Sequence, residues 1–183
     1  MEELQHLKEE RIDGEQIFDG VVVHLYRDRI RLPDGKTGVR EYVRHIGAAA
    51  VLPITKEGDA ILVRQFRYPF DKVLYEIPAG KRDSYTEDPY VTAMRELEEE
   101  TGMRCEKLVS LGEYYSSPAI LDEVIWVYLA EGLEVGTQNT DEDEFLETVR
   151  IPFDEVLSMV ERNEIADGKT QMAVLKAARL LGK

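Results

Sequence analysis

The stretch RELEEETG, residues 95–102, sets four glutamates and one arginine within eight positions. At about 100° per residue, a helix from about Glu87 to Thr101 gathers Tyr90, Ala93, Met94, Leu97 and Thr101 on one side. Glu96, Glu99 and Glu100 fall on another. Gly102 supplies the C-cap, Ser84 with Glu87 three residues later resembles a capping box, and Pro89 suits a first turn. Carboxylates at i, i+3 and i+4 repel one another by roughly 0.2–0.5 kcal/mol per pair. Such a face is either a solvated charge run, which is common, or it holds a hard divalent cation, for which carboxylate oxygens are the preferred ligands.

Around this helix the chain reads as β-rich. GVVVHLYRDRIRL and VREYVRHI flank a Pro-Asp-Gly turn within RLPDGKTG and predict an N-terminal hairpin. GAAAVLPIT, the turn KEGD and AILVRQFRY predict a second hairpin, in which alternation sends Arg64 and Gln65 to opposite faces and Arg67 to the side of Gln65. KVLYEIPAG gives one more strand, ending at Pro78 and Gly80. Strands near 107–116, 123–130 and 145–151 and helices near 153–162 and 169–181 complete a mixed α/β order without regular βαβ alternation. We expect a small β-rich N-terminal region over 1–46 and the main domain over 47–183.

The formal net charge of −14 repels a phosphate backbone, so neither nucleic acid nor an anionic membrane is an expected partner. An anionic small substrate would need a metal ion or a local arginine cluster. The longest apolar stretch, IGAAAVLPI, is too short to span a bilayer, and MEELQHLKEER lacks a signal-peptide layout, which together predict a cytoplasmic protein. The single cysteine, Cys105, reads as core. His24, His45 and Trp126 read as structural.

Residues 80–103, GKRDSYTEDPYVTAMRELEEETGM, resemble the Nudix box, the metal-binding loop-helix-loop of the Nudix hydrolases. Glu87 through Met103 fit the pattern throughout. The departure lies between Gly80 and Glu87, where six residues, KRDSYT, stand in place of five. The resemblance implies a Nudix fold, a mixed sheet between helices. It also implies that Glu96, Glu99 and Glu100 hold divalent ions, Mg²⁺ or Mn²⁺, with Ala79 offering a backbone carbonyl. Arg95 and Glu87 then orient loop and helix. Metal ions so placed neutralise a diphosphate and activate water.

Further motifs resemble the ADP-ribose diphosphatase branch of that family. Pro118, in YYSSPAILDE, lies sixteen residues after Gly102, although Ala119 stands where Gly is common. RQFRYP, YEIPAGK, DEDEF and EIADGKT extend the likeness from about residue 18 to the end. The branch implies substrate contacts for Arg67 and Glu76, with Arg64 a weaker candidate and Glu123 near the substrate. It implies a general base at Glu144 or Glu142, counted with Glu99 among the catalytic glutamates. It further implies a homodimer that exchanges N-terminal strands, with Arg40 reaching into the partner. The expected reaction is hydrolysis of ADP-ribose to AMP and ribose 5-phosphate. The alternatives are another nucleoside diphosphate sugar, or a non-catalytic nucleotide sensor, against which the intact Glu96, Glu99 and Glu100 argue.

Overall fold

The three-dimensional structure is a computed structural model. It describes residues 2–136 and 145–183. The described residues form two compact units, one running up to His45 and including Ser117–Glu123, the other comprising Ile46–Ser116 and Val124–Lys183.

In the first unit, β1 (Glu10–Asp19), β2 (His24–Arg31) and β3 (Thr37–Arg44) form an antiparallel sheet in that order. The β2–β3 hairpin turns on Pro-Asp-Gly, as its sequence predicts. β1 is an addition: every one of its residues is exposed, so ERIDGEQIFD carries no apolar alternation to announce a strand. The sheet is laced with charge pairs, among them Arg27–Glu41 and Arg40–Glu9. The 117–123 loop joins β3 through Val43 N to Ile120 O at 2.8 Å and His45 N to Asp122 Oδ1 at 2.6 Å.

The second unit contains two sheets. One has the order β7 (Ala79–Lys81), β4 (Ala48–Pro53), β9 (Val124–Val135), β8 (Met103–Tyr115); the other has β10 (Leu146–Pro152), β5 (Asp59–Arg67), β6 (Lys72–Glu76). β4 and β9 run parallel and the remaining pairs antiparallel. The expected hairpin of β4 and β5 therefore closes only at its base, at Thr55 N to Asp59 O (2.8 Å) and the Ile54–Ala60 bridge. β4 is apolar on both faces and buried throughout, and β5 is so over residues 60–63. Each becomes the inner strand of its own sheet, as continuous apolar runs demand. KVLYEIPAG likewise divides, because Pro78 has no N–H to continue a ladder. β6 ends at Glu76, β7 starts at Ala79, and Pro78 O accepts from Val51 N at 2.9 Å.

Alternation along β4 settles the layers. Ala49 and Val51 pack with Ala93 and Leu97 of α1 (Pro89–Thr101), and with Cys105, Leu108 and Ala130. Ala50 and Leu52 face Phe153 and Val156 of α2 (Phe153–Glu161) and Val174 and Ala177 of α3 (Gly168–Leu180). The four-stranded sheet is thus held between helices. No helix among the described residues is long and apolar enough to cross a membrane.

Two details of α1 differ from expectation. It starts at Pro89, capped by Asp88, whose side chain accepts from Tyr90 N at 2.9 Å. Ser84 and Glu87 belong to the preceding loop, where the Glu87 carboxylate accepts from Asp83 N at 2.6 Å. The far end matches its prediction, with Gly102 at φ 67° and its N–H bonded to Glu98 O. Second, Tyr90 is exposed while Glu96 and Glu100 are only 7% and 3% exposed. The carboxylates lie against protein, not in water.

Candidate active site

What the buried carboxylates meet is β7 and the loop after it. Glu100 Oε2 accepts from Ala79 N at 3.1 Å. A β-carbon on Gly80 would fall 2.1 Å from the Glu96 carboxylate carbon, so only glycine lets Glu96 lie against this backbone. Arg95 Nη1 stands 2.8 Å from both Glu96 Oε1 and Glu99 Oε2, and Arg95 Nη2 donates to Lys81 O at 2.9 Å. Burial disfavours the Arg95 charge, but Glu96 and Glu99 outweigh it and raise its pKa above the usual arginine value. A guanidinium thus stands among the glutamates of RELEEETG, and it also ties the helix to β7.

The residues fit a divalent ion by their donor chemistry. Glu96, Glu99 and Glu100 offer carboxylate oxygens from successive turns of one rigid helix, and glycine leaves room beside Glu96. Among the described residues no three such groups converge as a finished ligand set. Glu96 and Glu99 turn toward Arg95, and Glu100 toward the Ala79 amide.

The longer loop has its own fastener, which sequence reasoning missed. Arg82 Nη2 donates to Tyr85 O at 2.5 Å and to Glu87 O at 2.6 Å, while its Nε also reaches Glu87 O at 2.9 Å. Its guanidinium lies 5.1 Å from the Trp126 ring centroid. One arginine near the start of the segment that contains the extra residue therefore clasps its far end. The Glu87 carboxyl lies below its ordinary range, chiefly through the Asp83 amide.

A second charged cluster joins β5, β6 and α3. Arg67 Nε and Nη2 donate to Glu76 Oε1 and Oε2 at 2.6 and 2.8 Å. The Lys169 ammonium donates to Glu76 Oε2, and Asp167 Oδ1 lies 3.1 Å from it. Burial pushes the Glu76 carboxyl up, but the Arg67 hydrogen bond and the Lys169 charge overcome it and hold the pKa at about 2. The Arg67 pKa is raised first by the Glu76 bond, against burial, with smaller contributions from Asp167 and Glu100. Arg67 is thus within electrostatic range of Glu100 on α1. Lys169 was not anticipated: nothing in EIADGKT distinguishes a buried lysine from a solvated one.

The remaining candidates are spread more widely. Arg64 pairs with Glu147 and lies 5.9 Å from the Tyr75 ring centroid. In the first unit, Arg40 pairs with Glu9, and Glu123 Oε1 lies 3.4 Å from His45 Nδ1. Pro118 sits in the loop bonded to β3. Glu142 and Glu144 lie outside the described residues.

A sheet between helices, with a glutamate-bearing helix running from a glycine-containing loop to Gly102, defines a class. Residues 43–172 match the NUDIX domain, and the chain belongs to the Nudix family. It is 45% identical over 173 residues to the ADP-ribose pyrophosphatase of Bacillus subtilis (strain 168), covering 93% of each chain. It is 46% identical over 169 residues to the methanol dehydrogenase activator of Bacillus methanolicus, covering 91% of each. A solved structure described as an ADP compounds hydrolase shares the fold at a TM-score of 0.85, covering 96% of this chain and 95% of that one, at 21% identity.

Proposed function

We propose that the chain hydrolyses the diphosphate of ADP-ribose to AMP and ribose 5-phosphate, with Mg²⁺ or Mn²⁺ as cofactor, in the cytoplasm. The observation that carries this reading is the end-to-end likeness to the Bacillus subtilis ADP-ribose pyrophosphatase, at 45% identity over 93% of both chains. Glu96, Glu99, Glu100 and the Ala79 carbonyl would hold the ion. When bound, it supplies charge neutralisation at the diphosphate and activation of water. Arg67 presents a fork that matches phosphate oxygens, and Glu76 orients that fork. Glu142 or Glu144 takes a proton from the attacking water. As the water oxygen bonds to one phosphorus, its bond to the bridging oxygen breaks, leaving two phosphomonoesters. Arg40 and Glu123 contact substrate within a homodimer that exchanges N-terminal strands. Arg64 would have to leave Glu147 to join them.

The test is Mg²⁺-dependent release of AMP or GMP from ADP-ribose, ADP-glucose, GDP-mannose and NADH, with Glu99→Gln and Glu100→Gln in parallel. Fastest turnover of ADP-ribose, lost in the variants while the fold persists, is the expected result. Preference for another compound would keep the hydrolase and replace the substrate; tight binding with no hydrolysis would make the chain a sensor. A second reading follows from the Bacillus methanolicus relative, that the chain activates a methanol dehydrogenase. Adding wild type and Glu99→Gln to such an enzyme and following alcohol oxidation decides it.

A further inference from the structure

EIADGKT carries a side chain to which the proposed chemistry gives no role. Lys169 is 8% exposed, an unusual burial for a lysine. It stands in the first turn of α3, where the helix dipole disfavours a further positive charge. Glu76, 3% exposed at the end of β6, compensates by accepting from its ammonium. Lys169 is not needed to tie α3 to the chain just after β6, because its neighbour does so. The Thr170 hydroxyl accepts from Ile77 N at 2.9 Å and donates to Asp167 Oδ2 at 2.6 Å. Lys169 adds a positive charge beside the Glu76 carboxylate.

The consequence falls on Arg67. Its guanidinium is gripped along the Nε–Nη2 edge by both oxygens of Glu76, while the side chain remains 41% exposed. An unrestrained arginine samples many rotamers. A two-point grip removes much of that freedom before an anion arrives, which is how preorganisation strengthens binding. The grip requires Glu76 to stay ionised and fixed in a buried place, and Lys169 is the buried cation beside it.

We infer that Lys169 is a positioning residue: by fixing the Glu76 carboxylate it holds the Arg67 guanidinium with its far edge presented to the phosphate oxygens of the substrate. This deepens the proposed function and rests on the role given there to Arg67. The test measures kcat and KM for ADP-ribose at saturating Mg²⁺ in wild type, Lys169→Met, Arg67→Ala and the double variant, with thermal unfolding to verify folding. Lys169→Met should raise KM roughly tenfold and lower kcat by less than about threefold, whereas in the Arg67→Ala background it should change KM by less than about twofold. Lys169→Arg should recover most of the loss. An equal rise in KM in both backgrounds, or a fall in kcat with KM unmoved, would overturn the inference. If Lys169→Met does not fold, Lys169→Gln in the same two backgrounds asks the same question. A wild type without Mg²⁺-dependent turnover sinks the substrate reading instead. Calorimetric binding of ADP to the same four proteins then decides the positioning role, since additive losses reject it and coupled losses support it.

Discussion

Two groups of carboxylates lie in the same unit of this protein, and they are matched very differently. Glu76 is bonded by two cations, Arg67 and Lys169. On α1, Glu96 and Glu99 lean on the one guanidinium of Arg95, while Glu100 rests on a backbone amide and the more distant charge of Arg67. With Asp167 beside Lys169, the first group is balanced, two carboxylates against two cations, and holds its own geometry. The second concentrates negative charge on a rigid helix at a surface already shaped by Gly80, which suits a site that is completed by a cation. Buried charge stabilises a fold only when its partners are in place, so the two groups should respond oppositely to neutralisation.

The largest effect is expected where that contrast is sharpest. Glu99→Gln and Glu100→Gln should lower Mg²⁺-dependent turnover by roughly a hundredfold or more, yet leave the unfolding midpoint unchanged or raised, because repulsion along α1 is relieved. Parallel kinetics and thermal melts would check both halves. Glu76→Leu should do the reverse to stability, costing about 3 kcal/mol in urea unfolding because it leaves Lys169 and Arg67 without their shared acceptor.

Titration tests the same group without mutation. The folded pKa of Glu76 lies at about 2, below its ordinary 4.5. Its contribution is therefore complete above pH 4.5 and is lost as pH falls toward 2. That loss should be on the order of 3 kcal/mol, and acid unfolding curves of wild type and Glu76→Leu should converge across the window. Gly80→Ala should raise the Mg²⁺ needed for half-maximal activity about tenfold, since its methyl displaces the Glu96 carboxylate; metal titration of activity reads this. The smallest effect belongs to the surface pair of Arg64 and Glu147, where Arg64→Ala should leave the urea midpoint nearly unchanged in the same assay.

Signals confined to a few neighbouring residues were legible. The Pro-Asp-Gly turn placed the β2–β3 hairpin, Gly102 ended α1, and the spacing of Glu96, Glu99 and Glu100 marked one helix. Where a local signal had competitors, it misled: Ser84 with Glu87 imitates a capping box, but Asp88 beside Pro89 is the better cap and starts the helix later. β1 escaped notice because a fully exposed strand needs no alternation. The division of β4 from β5 escaped because apolar runs announce burial without saying beside which strand.

The sequence by itself determined the family, the charge, the glutamate helix and the loop that precedes it, because each depends on residue type and short spacing. Only the tertiary structure decided that Glu96 and Glu100 turn inward, that Arg82 clasps the lengthened loop, and that Lys169 meets Glu76 across a separation of 93 residues. Such pairings are set by how sheets and helices stack, and a side chain cannot know its neutralising partner until the core between them has formed.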